Sequence, residues 1–296
     1  MALEALRAAR TGFVFDAEVA GPAEGPIVLL LHGYPQNRHT WRAQLPALAA
    51  AGFRVVAPDQ RGYSPGARPD PAVLTGYAID ELVADALDVV DAVRPAARFH
   101  LVGHDWGGAL AWLTAARHPE RVLSLAVLSR PHPSAFRRAI QEDASGQRHR
   151  SRHHRAFLDP ATGPKLLEED GRRIREVLAA QGVPADAIAL YVSTLLDPQA
   201  IEAALAWYRA AGAGVGQAPA PPPALDRIPA RTLYVWGDAD ATVSPEAARW
   251  TAEFVAAPYR FEVLPGVGHF ATDQAPERVS ALLLEHLQGA AAPADR

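Results

Sequence analysis

The segment Gly103-His104-Asp105-Trp106-Gly107-Gly108 limits what this chain can fold into more than any other stretch. It follows the apolar run Phe99-His100-Leu101-Val102 and precedes Ala109-Leu110-Ala111-Trp112-Leu113, which has a helical pattern. The order is strand, sharp turn, helix, with an aspartate at the apex. A side chain thrust out of so tight a turn sits in strained backbone, which bulky flanking residues would block and glycines permit. Most chains with such an elbow carry Ser or Cys at the apex. A carboxylate needs no deprotonation before it attacks, matches acyl transfer poorly and suits displacement at a saturated carbon.

The surroundings of this turn repeat its pattern. Pro26-Ile27-Val28-Leu29-Leu30-Leu31 and Phe53-Arg54-Val55-Val56-Ala57 are short apolar runs, as expected for strands covered on both faces. Between them, Thr40 to Ala51 has helical spacing, with Trp41, Leu45 and Leu48 on one face. Residues Ile79 to Val93 read as a helix and Leu123 to Leu128 as a strand. Alternating strands and helices predict an α/β fold with a mostly parallel, doubly wound sheet. Ligands of such sheets bind at the carboxyl ends of the strands, which is where Asp105 falls. From about Pro131 the sequence becomes helical and charged, up to the Gly-, Ala- and Pro-rich stretch Gly212 to Pro223. We therefore expect a core of residues 1–131 and 224–296 with an inserted helical cap at 132–223. The tract Ala218 to Pro223 reads as a stiff return connection. Alternation resumes with strand 232–236, helix 245–256, strand 259–264 and a last helix from Pro276 to Leu287.

Composition narrows the function classes. Over 296 residues, 49% are hydrophobic and 21% charged, which suits a globular chain with a sizeable core. A net charge of −4 gives no broad basic field, so nucleic acid and membrane are poor partners and a small molecule is the better expectation. The absence of cysteine excludes disulfides and thiolate chemistry. The N-terminal residues lack the continuous apolar core of a secretion signal, so a cytoplasmic location is expected. No cofactor is expected, and the oligomeric state, monomer or homodimer, is left open.

An ester formed on Asp105 must be released by water, and water at neutral pH needs a base, for which histidine is the default. Of the eleven histidines, His269 is best placed, in the small-residue loop Pro265-Gly266-Val267-Gly268-His269-Phe270 between a strand and a helix. His32 reads as shaping its own turn, and His104 as pointing away from the apex. His269 in turn needs a carboxylate to fix its tautomer, and Gly237-Asp238-Ala239-Asp240 offers two. The order nucleophile, acid, histidine is that of the α/β-hydrolase fold. Ester hydrolysis also places charge on a carbonyl oxygen, for which the backbone N–H groups of Tyr34 and Trp106 form the expected oxyanion hole.

Together, His32-Gly33-Tyr34-Pro35, Asp59-Gln60-Arg61-Gly62-Tyr63, Gly103 to Gly108, Gly237 to Asp240 and Gly268-His269-Phe270 resemble the α/β-hydrolase superfamily. The resemblance is to its epoxide hydrolase and haloalkane dehalogenase branch, whose nucleophile is an aspartate, and covers most of the chain. It implies Asp240 rather than Asp238 as the acid partner. In the cap, Ala204-Leu205-Ala206-Trp207-Tyr208-Arg209 is similar to an epoxide hydrolase segment ending in Trp-Tyr-Arg, which implies that Tyr208 protonates the departing oxygen. The family places a second tyrosine early in the cap, after a Pro-His-Pro like Pro131-His132-Pro133. Here the matching position in Ser151-Arg152-His153-His154-Arg155 is His153. Tyr191 is a weaker substitute, since its helical neighbours suggest an ordinary cap helix. The basic stretch Arg148 to Arg155 otherwise reads as a solvated face, although a spacing of four would set His149 and His153 on one helical side, as a metal site could use.

The expectation is therefore a cofactor-independent epoxide hydrolase acting on a small apolar epoxide and water. Its catalytic residues would be Asp105, His269, Asp240, Tyr208 and His153, with Tyr34 and Trp106 at the oxyanion. A haloalkane dehalogenase with the same triad is the enzyme alternative, weakened because the position after His-Gly that often carries a halide-binding Asn is Tyr34. A non-catalytic binder on the same scaffold is the alternative from another class.

Overall fold

The computed structural model describes residues 2–212 and 227–291. Eight strands form one sheet: β1 (Ala2–Arg7), β2 (Val14–Ala20), β3 (Ile27–Leu31), β4 (Arg54–Pro58), β5 (Phe99–His104), β6 (Val122–Leu128), β7 (Thr232–Gly237) and β8 (Tyr259–Leu264). Their spatial order is β1-β2-β4-β3-β5-β6-β7-β8. The pairs β1/β2 and β2/β4 are antiparallel, and every other pair is parallel.

The unbroken apolar runs become the inner strands because both sides of the sheet are covered. In β3, Ile27, Leu29 and Leu31 point into one core and Val28 and Leu30 into another, and all five are buried. On the second face lie α1 (Gln44–Ala50) and, from the chain's far end, α12 (Pro276–Ala291), whose Leu45, Leu48, Leu282, Leu283 and Leu287 close that layer. On the first face lie α2 (Ile79–Val93) and α3 (Trp106–Arg117). The antiparallel edge strands β1 and β2 are absent from the sequence expectation. Strand β2 reads as period-two alternation rather than an apolar run, with Phe15, Ala17 and Val19 buried and their neighbours half-exposed, while β1 buries only Leu6. The expected helix at Thr40 to Ala51 is broken into a 3-10 turn at Arg38–Trp41 and α1, yet Trp41, Leu45 and Leu48 are all buried.

Between β6 and β7 the described chain is helical: α4 (Pro133–Glu142), α5 (Gln147–Arg150), α6 (Arg152–Leu158), α7 (Thr162–Ala180), α8 (Ala185–Leu195) and α9 (Pro198–Ala210). The expected return connection at 218–223 lies outside the described residues. After β7 come α10 (Pro245–Trp250), which continues as a 3-10 turn to Phe254, and after β8 the short α11 (Ala271–Gln274) before α12. Helix α9 is sited by specific ends and anchors. Asp197 caps it by accepting from Gln199 N at 2.9 Å, with Pro198 in the first turn. Its Trp207 indole donates to the Arg61 carbonyl at 3.0 Å, fixing the helix to the loop after β4.

From β3 the chain winds outward to β4 and then returns to β5 on the other side of β3. The strand order therefore reverses between β3 and β5. The loops leaving their carboxyl ends diverge and open a crevice there, the place where ligands of such sheets bind.

Candidate active site

Asp105 stands at that crevice, directly after β5 and before α3, with φ 50° and ψ −116°. Such a conformation costs a non-glycine residue about 1–3 kcal/mol and persists only where the surroundings enforce it. Two glycines allow it. A Cβ on Gly107 would lie 2.6 Å from the His32 carbonyl oxygen, and one on Gly33 would lie 2.6 Å from Asp105 Oδ1. Loop β3 and the elbow can thus approach to hydrogen-bonding distance, and the Tyr34 N–H donates to Asp105 Oδ1 at 3.0 Å. Among the described residues the Trp106 N–H makes no such bond to the Asp105 side chain, although Trp106 begins α3 next to it.

The other carboxylate oxygen faces His269, whose Nε2 is 3.7 Å from Asp105 Oδ2. His269 Nδ1 lies 3.0 Å from Asp240 Oδ2 and 2.7 Å from Thr242 Oγ1. The Thr242 hydroxyl donates to Asp240 Oδ1 at 2.7 Å, and that oxygen also accepts the backbone N–H groups of Thr242 and Val243. With a carboxylate on Nδ1, the proton of the neutral ring belongs on Nδ1, which leaves Nε2 as the basic atom toward Asp105. Asp238 is elsewhere, exposed and accepting from Gly266 N at 2.7 Å. Thr242 is a site residue that the sequence reading misses, since no spacing rule ties a threonine to a histidine 27 positions away. His104 is closer to the centre than expected: its Nε2 meets the His269 carbonyl oxygen at 2.9 Å and the two rings lie 5.0 Å apart.

The electrostatics follow from burial set against paired charges. Burial alone would raise Asp105, but His269 and then Arg130 outweigh it and hold the carboxyl far below its ordinary value. Burial alone would lower His269, but Asp240 and Asp105 raise the imidazole to about 10, so the resting site is an imidazolium between two carboxylates. His104 is pushed down to about 4 by burial and by His269, and is neutral.

Over the carboxylate lies a cavity of about 820 Å³, bounded by Asp105 and His269 below and by the inserted helices above. Tyr208 of α9 lines it, buried, with its ring 5.1 Å from Trp106, 5.7 Å from Tyr34 and 4.8 Å from Phe157. Burial, then the Asp105 charge, raises its phenol well above the ordinary value, so it keeps its proton. His153 also lines the cavity, and burial lowers it toward the neutral form. The expected solvated face at 148–155 is corrected on its inner side. His154 also faces the cavity, 5.3 Å from the Tyr208 ring and lowered to about 3 by burial. The reason is a break at Ser151 between α5 and α6, which turns the second helix inward; the continuous face joining His149 to His153 does not form. Among the described residues, no group of three His, Cys, Asp or Glu side chains could hold a metal ion. Tyr191 does not line the cavity. Its hydroxyl donates to Asp273, which also binds Arg42 and Gln36.

A carboxylate held by one N–H, an imidazole within reach of it and a protonated phenol in the same cavity can together support displacement followed by hydrolysis. Comparison with known proteins agrees with the class. Residues 26–276 match the alpha/beta hydrolase fold family, and the chain belongs to it. Within it, the chain falls in the epoxide hydrolase branch. It is 31% identical over 293 residues to epoxide hydrolase 3 of Xenopus tropicalis, covering 96% of this chain and 77% of that protein. It is also 31% identical to epoxide hydrolase A of Mycobacterium tuberculosis, covering 91% and 92%. Among solved structures, an epoxide hydrolase from a hot-environment metagenome superposes with TM-score 0.83 at 28% identity, covering 97% and 98%. The inhibitor complex of the Bacillus megaterium epoxide hydrolase superposes with TM-score 0.84 at 25% identity, covering 94% and 98%.

Proposed function

We propose that the protein hydrolyses epoxides to vicinal diols through an ester on Asp105. The observation that carries this reading is the Asp105 carboxylate lying between the Tyr34 N–H and His269 Nε2, in a cavity that Tyr208 also lines. A carboxylate oxygen of Asp105 attacks a ring carbon, the carbon–oxygen bond breaks, and the departing oxygen takes the Tyr208 proton, with His153 as a second polar contact. The ester is neutral, so one of the two charges that raised His269 is gone, and the imidazolium passes its proton to the Tyr208 phenolate and becomes a neutral base. Water loses a proton to His269 Nε2 and attacks the Asp105 carbonyl carbon. The N–H groups of Tyr34 and Trp106 hold the resulting oxyanion. Collapse expels the diol oxygen, which takes the proton back from His269, and the regenerated Asp105 carboxylic acid gives its own proton to His269, restoring the resting ion pair. The net reaction is epoxide plus water to diol, with no cofactor. A buried, protonated phenol favours an epoxide over an alkyl halide, whose departing anion needs no proton.

His269→Gln removes the base and keeps the nucleophile. Incubated with a panel of epoxides and of alkyl chlorides and bromides, this variant should lose steady turnover by about 10²–10⁴-fold. Mass spectrometry should then find an added epoxide mass on the peptide containing Asp105. Adducts from halides alone would reverse the assignment between the two branches, and normal turnover would remove His269 from the reaction.

A further inference from the structure

The wall of the cavity carries an imbalance of charge of which the hydrolytic chemistry uses only the field of Arg130 on Asp105. Arg130, Arg150, Arg152, Arg155 and Arg173 all line it, against a single lining carboxylate, Asp105. None of the five forms an ion pair with a carboxylate among the described residues, unlike Arg61 with Asp85 and Arg42 with Asp273. Arg152, Arg155 and Arg173 are exposed at the outer part of the wall and Arg150 is half-buried, with one N–H on the Asp240 carbonyl. Arg130 is the telling one. It is half-buried after β6, its guanidinium lies 4.5 Å from the Phe136 ring centre and 5.8 Å from that of Trp106, and its side chain meets no hydrogen-bond acceptor among the described residues. Two aromatic faces hold the planar group in place while its donors are left for something else. The rest of the wall is apolar, with Phe136, Phe157, Leu166, Ile174 and Val177.

We infer that the cavity selects amphiphilic ligands, an apolar chain whose end bears an anion, carboxylate or phosphate, that is drawn in by the field of the exposed Arg155 and Arg173 and received by Arg130 within. A guanidinium presents paired donors that match either anion, and a low-dielectric cleft lined by one sign of charge concentrates the opposite sign. The epoxide part of the inference rests on the function proposed above; the anion part does not.

The test separates them. Binding of 6-phenylhexanoate, of its primary amide and of 6-phenylhexyl phosphate to the wild-type protein is measured by titration calorimetry at low and high salt. One or both anions should bind about tenfold tighter than the amide at low salt, and the advantage should shrink as salt rises. The better anion identifies the end group. Arg130→Gln should lose about tenfold in affinity for that anion while the amide changes little. The Arg155→Gln/Arg173→Gln variant, altered only at exposed positions, should lose part of the anion preference and of its salt dependence even if Arg130→Gln fails to fold. Equal affinity for amide and anions, or equal weakening of both by the substitutions, overturns the inference. Turnover is compared on matched epoxides ending in a carboxylate or its amide. Turnover of both without preference overturns the anion site and leaves the hydrolase standing. Anion-selective binding without turnover of either supports the anion site and contradicts the hydrolase.

Discussion

In the proposed reaction, Asp105 and His269 act only through their neighbours. The same imidazole is raised by two carboxylates at rest, and in the proposed reaction it is relieved of one of them once Asp105 is esterified, so that one residue would serve as counter-ion first and base second. This has a consequence for stability. The folded-state value of His269, about 10, exceeds the ordinary 6.5, so its proton stabilises the native state fully below pH 6.5. That contribution is lost as the pH rises from 6.5 toward 10. The Tm of the wild-type protein should therefore fall across this window more steeply than that of His269→Gln, and parallel curves would contradict the ion-paired resting site. Tyr208 offers a second test at this scale. Tyr208→Phe removes one hydroxyl and should lower kcat/KM for epoxides by about 10²–10⁴-fold, the usual worth of a positioned acid, with the fold intact. Turnover within about twofold of wild type would transfer the role to another cavity residue such as His153 or His154.

Elements differ in how openly the sequence declares them. Strands β3, β5 and β7 are written as unbroken apolar runs because both faces are buried, and the elbow announces itself through Gly103, Gly107 and Gly108. Strand β2 is covered on one face only, and β1 buries little beyond Leu6, so their signal is weak alternation. The inward turn of α6 was not legible, because it depends on a break at Ser151 and on the cavity beneath, and neither has a local sequence signature. Tyr191 shows the same division. Its helical spacing suggests packing, and its hydroxyl in fact joins α8 to α11 through Asp273, at 2.9 Å and 3.1 Å to the two carboxylate oxygens. Asp273 keeps Arg42 and Gln36 when that hydroxyl is removed. Tyr191→Phe should thus cost about 1 kcal/mol in urea unfolding while kcat stays near wild type, the opposite of Tyr208→Phe. A large loss of activity without loss of stability would move Tyr191 into the chemistry.

At the scale of the whole molecule, the site exists because four separated segments converge where the strand order reverses. Tyr34 leaves β3, Asp105 leaves β5, Asp240 leaves β7 and His269 leaves β8, all at carboxyl ends of parallel strands. Tyr34, Asp105 and His269 could be proposed from local motifs tied to strand ends, whereas the loop after β7 offers two aspartates and only the family resemblance pointed to Asp240. Thr242, His154 and Arg130 could not be proposed in either way, because their part depends on what the inserted helices and loops bring alongside. In the proposed reaction the oxygen added to the epoxide comes first from Asp105 and only afterwards from water. A single turnover with enzyme in excess, run in oxygen-18 water, measures this directly. The expected result is a diol without label and oxygen-18 in the peptide containing Asp105. Label in the first-turnover diol with none in that peptide would mean that water attacks the epoxide itself, and would contradict the ester mechanism.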